Sequence, residues 1–342
     1  MSTIKSIFLI KHGEADEAFE VREQPRETLK PDRIRIEVEA SGINFADVMA
    51  RRGIYKPAPK PPGVLGYDVC GKVIEVGPEA KGFKEGDRVA AITLFGGYSN
   101  EVTTPWYAAI PIEENTKSGV ACALMTQGVT AYSAAWDLVS LWPGDRVLVQ
   151  AAAGGVGTLI TQIAKHKGCE VWGTASKQKH EYAQSNGVDH PIDYRSQEFD
   201  DVVKEESPGG LDVVFDNLGG RSFRKGLKLL RPGGKIVAYG AANQNKGSDS
   251  GLWQSIKVAL GFGFYSPIPF IQKSQSLIGL NLLAMSKGRP EKMQEVMKAT
   301  FDLYQEGILS PYAEKSFPAE ECWKAHAFIE GRQSMGKVVL EW

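Results

Sequence analysis

Apolar and polar residues alternate with a period of two through the first third of the chain. The clearest stretches are "IRIEVEASGI" and "VCGKVIEVG", set apart by clusters of Gly, Pro and Asp. Successive side chains of a strand point to opposite faces, so this spacing predicts β-structure from residue 4 to about residue 112. The N-terminal run in "MSTIKSIFLIKHGEADEAFEV" reads as a first strand: Lys11 closes it, and it lacks the long apolar region and cleavage site of a secretory signal. From about residue 126 the pattern changes. Short Val-rich runs ("RVLVQA", "EVWGTA", "DVVFDNL", "KIVAYG") alternate with helical segments ("LITQIAKHKG", "KHEYAQSNG", "FRKGLKLLR"). That alternation predicts a parallel sheet wrapped by helices.

"SQSLIGLNLL", residues 274–283, reads as the last strand of this sheet. Met293, Val296, Met297 and Phe301 recur at helical spacing and predict a core-packed helix, after which "SMGKVVLEW" predicts a closing strand. The phrase "GDRV" occurs twice, each time ahead of an apolar run, as turn chemistry shared by two strands. The fold class is therefore α/β. A β-rich domain spans residues 1–125 and 306–342, and a doubly wound parallel-sheet domain spans 126–305.

Composition narrows the function classes. The 342 residues are 42% hydrophobic and 24% charged, as in a globular protein. Lys and Arg total 40 against 41 Asp and Glu, and a net charge of -1 leaves no electrostatic footprint for nucleic acid. Cys70, Cys122, Cys169 and Cys322 are dispersed without a C-x-x-C pair, which predicts free thiols and a cytoplasmic setting. His166 and Cys169 share a helix face, but two groups do not fill a zinc shell, and no metal site is expected.

Candidate chemistry lies in "VLVQAAAGGVGTLITQIAKHKG". Ala152, Gly154 and Gly157 match the dinucleotide spacing G-x-G-x-x-G with alanine at the first position, between a predicted strand and a predicted helix. Backbone N–H groups at such a helix start face a pyrophosphate. "GFGFYS" at 261–266 imitates half of the motif with no strand ahead of it. An NAD site carries an acid about 20 residues on, at the end of the second strand. Here that strand runs into Ser176, Lys177, Gln178 and Lys179, while Glu170 sits at its other end. Two unit charges 4 Å apart interact by about 4 kcal/mol at an effective dielectric of 20, so the sign of this corner favours NADPH.

These residues, with "ASGINFADVMARRGIY", "GVLGYDVCGKVIEVG", "FKEGDRV", "GTASK" and "PIDYRSQEF", resemble the medium-chain dehydrogenase/reductase superfamily over essentially the full length. The resemblance is closer to its zinc-free quinone oxidoreductase branch. "GVDHPIDYR", "DNLGG" and "GKVVL" look most like the vesicle amine transport protein group. It implies a GroES-like catalytic domain joined to a Rossmann NADPH-binding domain. The zinc-dependent members place Cys where this chain has Asn44 and His where it has Tyr67, and their four-cysteine lobe has no counterpart here.

By the same resemblance Asn44, Tyr55 and Asp47 line the catalytic pocket, where side chains hydrogen-bond the substrate oxygen that gains charge. Asn44 also suits a turn after "EASGI", and Asp47 a helix cap or an i,i+4 pair with Arg51. Cofactor contacts carry over to Asn44, Thr130, Ala153, Gly154, Gly155, Val156, Gly157, Thr174, Ser176, Lys177, Tyr194, Asn217, Gly240 and Lys337, the last also suiting a strand edge. The implied activity is zinc-independent reduction of quinones or α,β-unsaturated carbonyls by hydride transfer from NADPH, in a homodimer. The alternative is a non-catalytic NADPH-binding protein in peripheral contact with membranes. An apolar insertion at 251–271, "GLWQSIKVALGFGFYSPIPFI", is broken by Lys257, Pro267 and Pro269 and so is no spanning helix. A substrate flap, a dimer contact and an interfacial anchor are its expected uses.

Overall fold

The computed structural model describes residues 2–242, 260–313 and 315–342. The chain divides into two compact units: residues 1–129, 283–302 and 311–342 form the first, and residues 130–282 and 303–310 the second.

The first unit is built from β1 (Thr3–Leu9), β2 (Phe19–Pro25), β3 (Arg33–Ile43), β4 (Gly63–Val64), β5 (Asp68–Val76), β6 (Arg88–Ile92), β7 (Glu101–Pro105) and β8 (Ala109–Pro111). β1 is the centre of a three-stranded sheet, flanked by β2 and β4. The period-two stretches "IRIEVEASGI" and "VCGKVIEVG" become β3 and β5, which pair antiparallel, and β3 also pairs with β7. Their inward residues Ile34, Ile36, Val38, Val69 and Val73 form one core cluster. Burying each such side chain stabilises the fold by about 1.5–3 kcal/mol.

The second unit holds β9 (Arg146–Val149), β10 (Glu170–Ala175), β11 (His190–Asp193), β12 (Leu211–Asp216), β13 (Leu230–Ala238) and β14 (Ser276–Gly279). All six are parallel, in the order β11-β10-β9-β12-β13-β14. In chain sequence this is 3-2-1-4-5-6, the doubly wound order of dinucleotide-binding domains. β9 lies at the centre, so Val147, Leu148 and Val149 are wholly buried, which is why that strand reads as a continuous apolar run. The last strand is shorter than "SQSLIGLNLL" suggested. Its partner β13 ends at Ala238, opposite Gly279, and the chain turns into the helix Leu282–Gly288.

The Met-striped segment forms the helix Pro290–Gln305, with Met293, Val296 and Met297 buried. The chain then re-enters the first unit as β15 (Lys315–Pro318) and β16 (Val338–Glu341), and β16 pairs antiparallel with β3. The seven-stranded sheet reads β15-β16-β3-β5-β6-β8, with β7 on β3. Of the apolar insertion, 251–259 lie outside the described residues. Leu260, Phe264, Ile268 and Ile271 are exposed, Phe264 by 86%, and Pro267–Lys273 form a helix capped by Ser266.

Candidate functional site

In the second unit the glycine cluster forms a cradle between β9 and the helix Gly155–His166. The Ala151 N–H donates to Thr174 Oγ1 (2.9 Å), that hydroxyl donates to Gln150 Oε1 (2.7 Å), and the Ala152 N–H donates to the Thr174 carbonyl (2.9 Å). The ends of two adjacent strands thus pin the turn. Its left-handed residue is Ala151, at φ 53°. Gly154 caps the helix, with Ala153 before it and Gly155 and Val156 opening the first turn, whose N–H groups have no intrahelical acceptor. A Cβ on Gly157 would overlap the Ala151 carbonyl oxygen, so only glycine lets helix and turn approach this closely.

Buried polar atoms without partners among the described residues collect at the carboxyl ends of neighbouring strands: Gln150 Nε2 after β9, Asn217 Oδ1 after β12 and Tyr239 Oη after β13. Gly240 packs on Asn217, whose carbonyl oxygen would lie 2.7 Å from a Cβ there. An orphaned buried group costs about 1–3 kcal/mol, and ligands of open parallel sheets bind where these three lie. A nicotinamide dinucleotide fits this set of free N–H groups and orphaned tips.

The corner after β10 is cationic. Ser176 is buried, and Lys177 opens a 3-10 turn that ends at Lys179. Asp193, the nearby acid, accepts the Arg195 N–H (3.1 Å) and the Ser196 hydroxyl (2.9 Å). The Arg195 and Ser196 donors, together with the Lys177 N–H, hold its carboxyl below the usual aspartate value. Burial first, and then the Arg195 charge, lower the Lys179 ammonium. Sequence reasoning stopped at Tyr194 and missed Arg195, although it is the next residue in "DYRSQ". Glu170 faces the other way, against His190 (2.9 Å). Thr130 lies in the short helix Val129–Tyr132, between π-helical turns at Leu124–Gly128 and Ser133–Asp137.

The first unit gathers a second set. Asn44 follows the last residue of β3 and precedes the helix Phe45–Arg51. Its Nδ2 donates to Asp68 Oδ2 (2.9 Å), and its Oδ1 accepts from Lys337 Nζ (3.0 Å), which also donates to Asp68 Oδ2 (2.8 Å). Lys337 and Asp68 are fully buried and Asn44 nearly so. Asp68 was not among the sequence candidates. Asn44 is the N-cap and Asp47, three residues on, closes the capping box: its carboxylate accepts the N–H of Asn44 (2.9 Å) and of Gly66 (3.2 Å). Burial pushes its pKa up to about 7. Arg51 turns away from Asp47, to the Gly13 carbonyl and Glu330.

Tyr67 packs on Phe95 (4.8 Å) and edge-on to Tyr55 (6.5 Å). Its buried hydroxyl has no partner, and burial, the Asp47 charge and the Tyr55 phenol raise its pKa far above the ordinary value, so it is a neutral donor. The set can present neutral hydrogen-bond donors, an amide and phenols, to an oxygen that gains charge. Among the described residues no group of three or more His, Cys, Asp or Glu is placed to hold a metal ion. The four cysteines are free and buried.

Known proteins place this arrangement. Residues 30–114 match the family model for the alcohol dehydrogenase GroES-like domain, and residues 155–300 match the model described as zinc-binding dehydrogenase. The human synaptic vesicle membrane protein VAT-1 homolog is 35% identical over 311 residues, covering 91% of this chain and 79% of that protein. A 2-haloacrylate reductase from Burkholderia sp is 35% identical over 317 residues, covering 91% of each. The Escherichia coli quinone oxidoreductase complexed with NADPH superposes with a TM-score of 0.84 at 27% identity, over 99% of this chain and 100% of that one. The chain belongs to the medium-chain dehydrogenase/reductase family of oxidoreductases, in the quinone oxidoreductase branch that includes the VAT-1 homologues.

Proposed function

We propose that this protein is an NADPH-dependent reductase of quinones or α,β-unsaturated carbonyls. The observation that carries the reading is the cradle beside three orphaned polar tips, Gln150, Asn217 and Tyr239, where a dinucleotide supplies the missing partners. Lys177, Lys179 and Arg195 suit a 2′-phosphate, which NADPH has and NADH lacks. When bound, NADPH supplies a hydride. The N–H groups of residues 155–157 hold the pyrophosphate, with Ala153, Thr174 and Ser176 shaping the approach. Thr130 contributes at the nicotinamide or its ribose, Tyr194 at the 2′-phosphate end and Gly240 at its strand end.

Asn44 donates its amide hydrogen to the carbonyl oxygen that gains charge, Tyr55 donates its phenol, and Asp47 fixes the backbone beneath Asn44. The names of two relatives, a 2-haloacrylate reductase and a quinone oxidoreductase, describe substrates with a conjugated acceptor, which supports this class. β14 has β13 as its only strand partner among the described residues, and Leu277 on it is exposed. We take a second copy to pair there. No helix among the described residues is long and apolar enough to cross a membrane. The four free thiols suit a reducing compartment, and on that ground we assign the protein to the cytoplasm.

The second reading is an NADPH-binding protein without turnover that docks on lipid, favoured by the exposed Phe264, Ile268 and Ile271. One experiment separates the two. The protein is mixed with NADPH or NADH and a panel of quinones and enones, the nicotinamide absorbance is followed, and a sizing column and vesicle pelleting are run beside it. The reductase reading expects a dimer that consumes NADPH at least about tenfold faster than NADH, given the charge difference at the corner. Equal use of both coenzymes sinks the NADPH assignment. Tight NADPH binding with no turnover and with vesicle pelleting selects the second reading.

A further inference from the structure

Lys337, Asp68 and Asn44 are far apart in the chain and are joined by strand register. β16 pairs with β3 so that Val338 lies opposite Ile43, and β3 pairs with β5 so that Gly42 lies opposite Asp68. A Cβ on Gly42 would collide with the Asp68 carboxylate and the Lys337 side chain, so the absence of a side chain there makes room for the pair. A buried ion pair stabilises a fold no more than well-packed apolar residues of the same shape do, and often less, so stability alone does not explain it.

What the pair does is hold both ends of one amide. Lys337 has only donors and takes the Asn44 oxygen (3.0 Å), while the Asp68 carboxylate has only acceptors and takes one Asn44 N–H (2.9 Å). A flipped amide would set donor against donor and acceptor against acceptor. One Asn44 hydrogen is left uncommitted, in a fixed direction.

We propose that Lys337 and Asp68 are positioning residues, and not cofactor ligands, which lock the Asn44 amide so that its one uncommitted hydrogen is presented to the substrate oxygen. This rests on the reductase reading for its consequence in turnover. Lys337 is fully buried and its Nζ is engaged by Asn44 Oδ1 and the Asp68 carboxylate, which argues for a role toward these two residues and against a cofactor phosphate.

The test is the double variant Asp68→Leu/Lys337→Met, close to the native shapes and without an orphaned charge. It should melt within a few degrees of the parent, whereas either single variant should be markedly less stable. Its kcat with 1,4-benzoquinone should fall about tenfold to a hundredfold, the scale of losing one aimed donor, with KM and NADPH affinity nearly unchanged. Asn44→Ala should cost a similar factor in the parent and add little in the double variant.

A double variant that recovers kcat along with stability overturns the proposal, as does one whose NADPH affinity falls while kcat holds. If the parent turns over no quinone or enone, the reductase reading fails by itself, and the lock is read by NMR on protein labelled with 15N-asparagine. The parent Asn44 amide should then show two distinct hydrogens, one slow to exchange, and both should exchange rapidly in the double variant. Rapid exchange of both in the parent overturns the lock.

Discussion

The Tyr67 hydroxyl is buried with no partner, an arrangement that costs about 1–3 kcal/mol unless something binds it. Tyr67→Phe removes the orphan and keeps the ring against Phe95. The variant should melt about 2–4 °C higher for each kcal/mol recovered and should reduce quinones more slowly, a trade of stability for function seen in differential scanning calorimetry and steady-state rates. A melting point no higher than the parent's would mean that the hydroxyl is already satisfied. Asp47 offers a test in pH. Its folded pKa, about 7, lies above the ordinary aspartate value of 3.8, so between the two the folded state holds a proton that the unfolded chain has released. Stability from this group is full below pH 4, is lost as the pH rises to about 7, and is level above that. The melting-temperature difference between parent and Asp47→Asn should shrink across that window, and a flat difference contradicts the burial argument. At this scale the sequence showed Asn44 and Asp47 in one short phrase, three residues apart. Asp68 was hidden because nothing local marks a carboxylate whose partner arrives 269 positions later in the chain.

At the scale of elements, the cradle was legible because strand, turn and helix are contiguous and each carries its own period. Gly157 shows why the spacing matters: a methyl group there would overlap the Ala151 carbonyl oxygen and lie 2.9 Å from Ala152 Cα. Gly157→Ala should push the helix start off the turn, lower stability by about 1–3 kcal/mol and abolish NADPH binding, both measurable by calorimetry. Retained binding would mean that the turn relaxes. The left-handed turn residue proved to be Ala151, which no spacing rule singles out, because Thr174 from the neighbouring strand holds its N–H in place. The shortened β14 has a similar cause. Its apolar residues continue past Gly279, but the partner strand does not, and a strand ends where its ladder ends.

At the scale of the molecule, the alternation of period two and period 3.6 was enough to separate a β-rich part from a doubly wound part and to place the glycine turn ahead of the helix Gly155–His166. Those signals are local: side chains repeat along a strand or a helix whatever the rest of the chain does, so the sequence alone settled the element types, the strand-to-helix glycine turn and the family. Tertiary structure alone settled the order 3-2-1-4-5-6, the return of β16 onto β3, the gathering of Arg195 with Lys177 and Lys179, and the joining of Lys337 to Asp68 and Asn44 over the bare backbone of Gly42. Such contacts depend on which strand lies beside which and in what register. That choice is made by burial and hydrogen bonding summed over the whole sheet, and no short stretch of residues carries it.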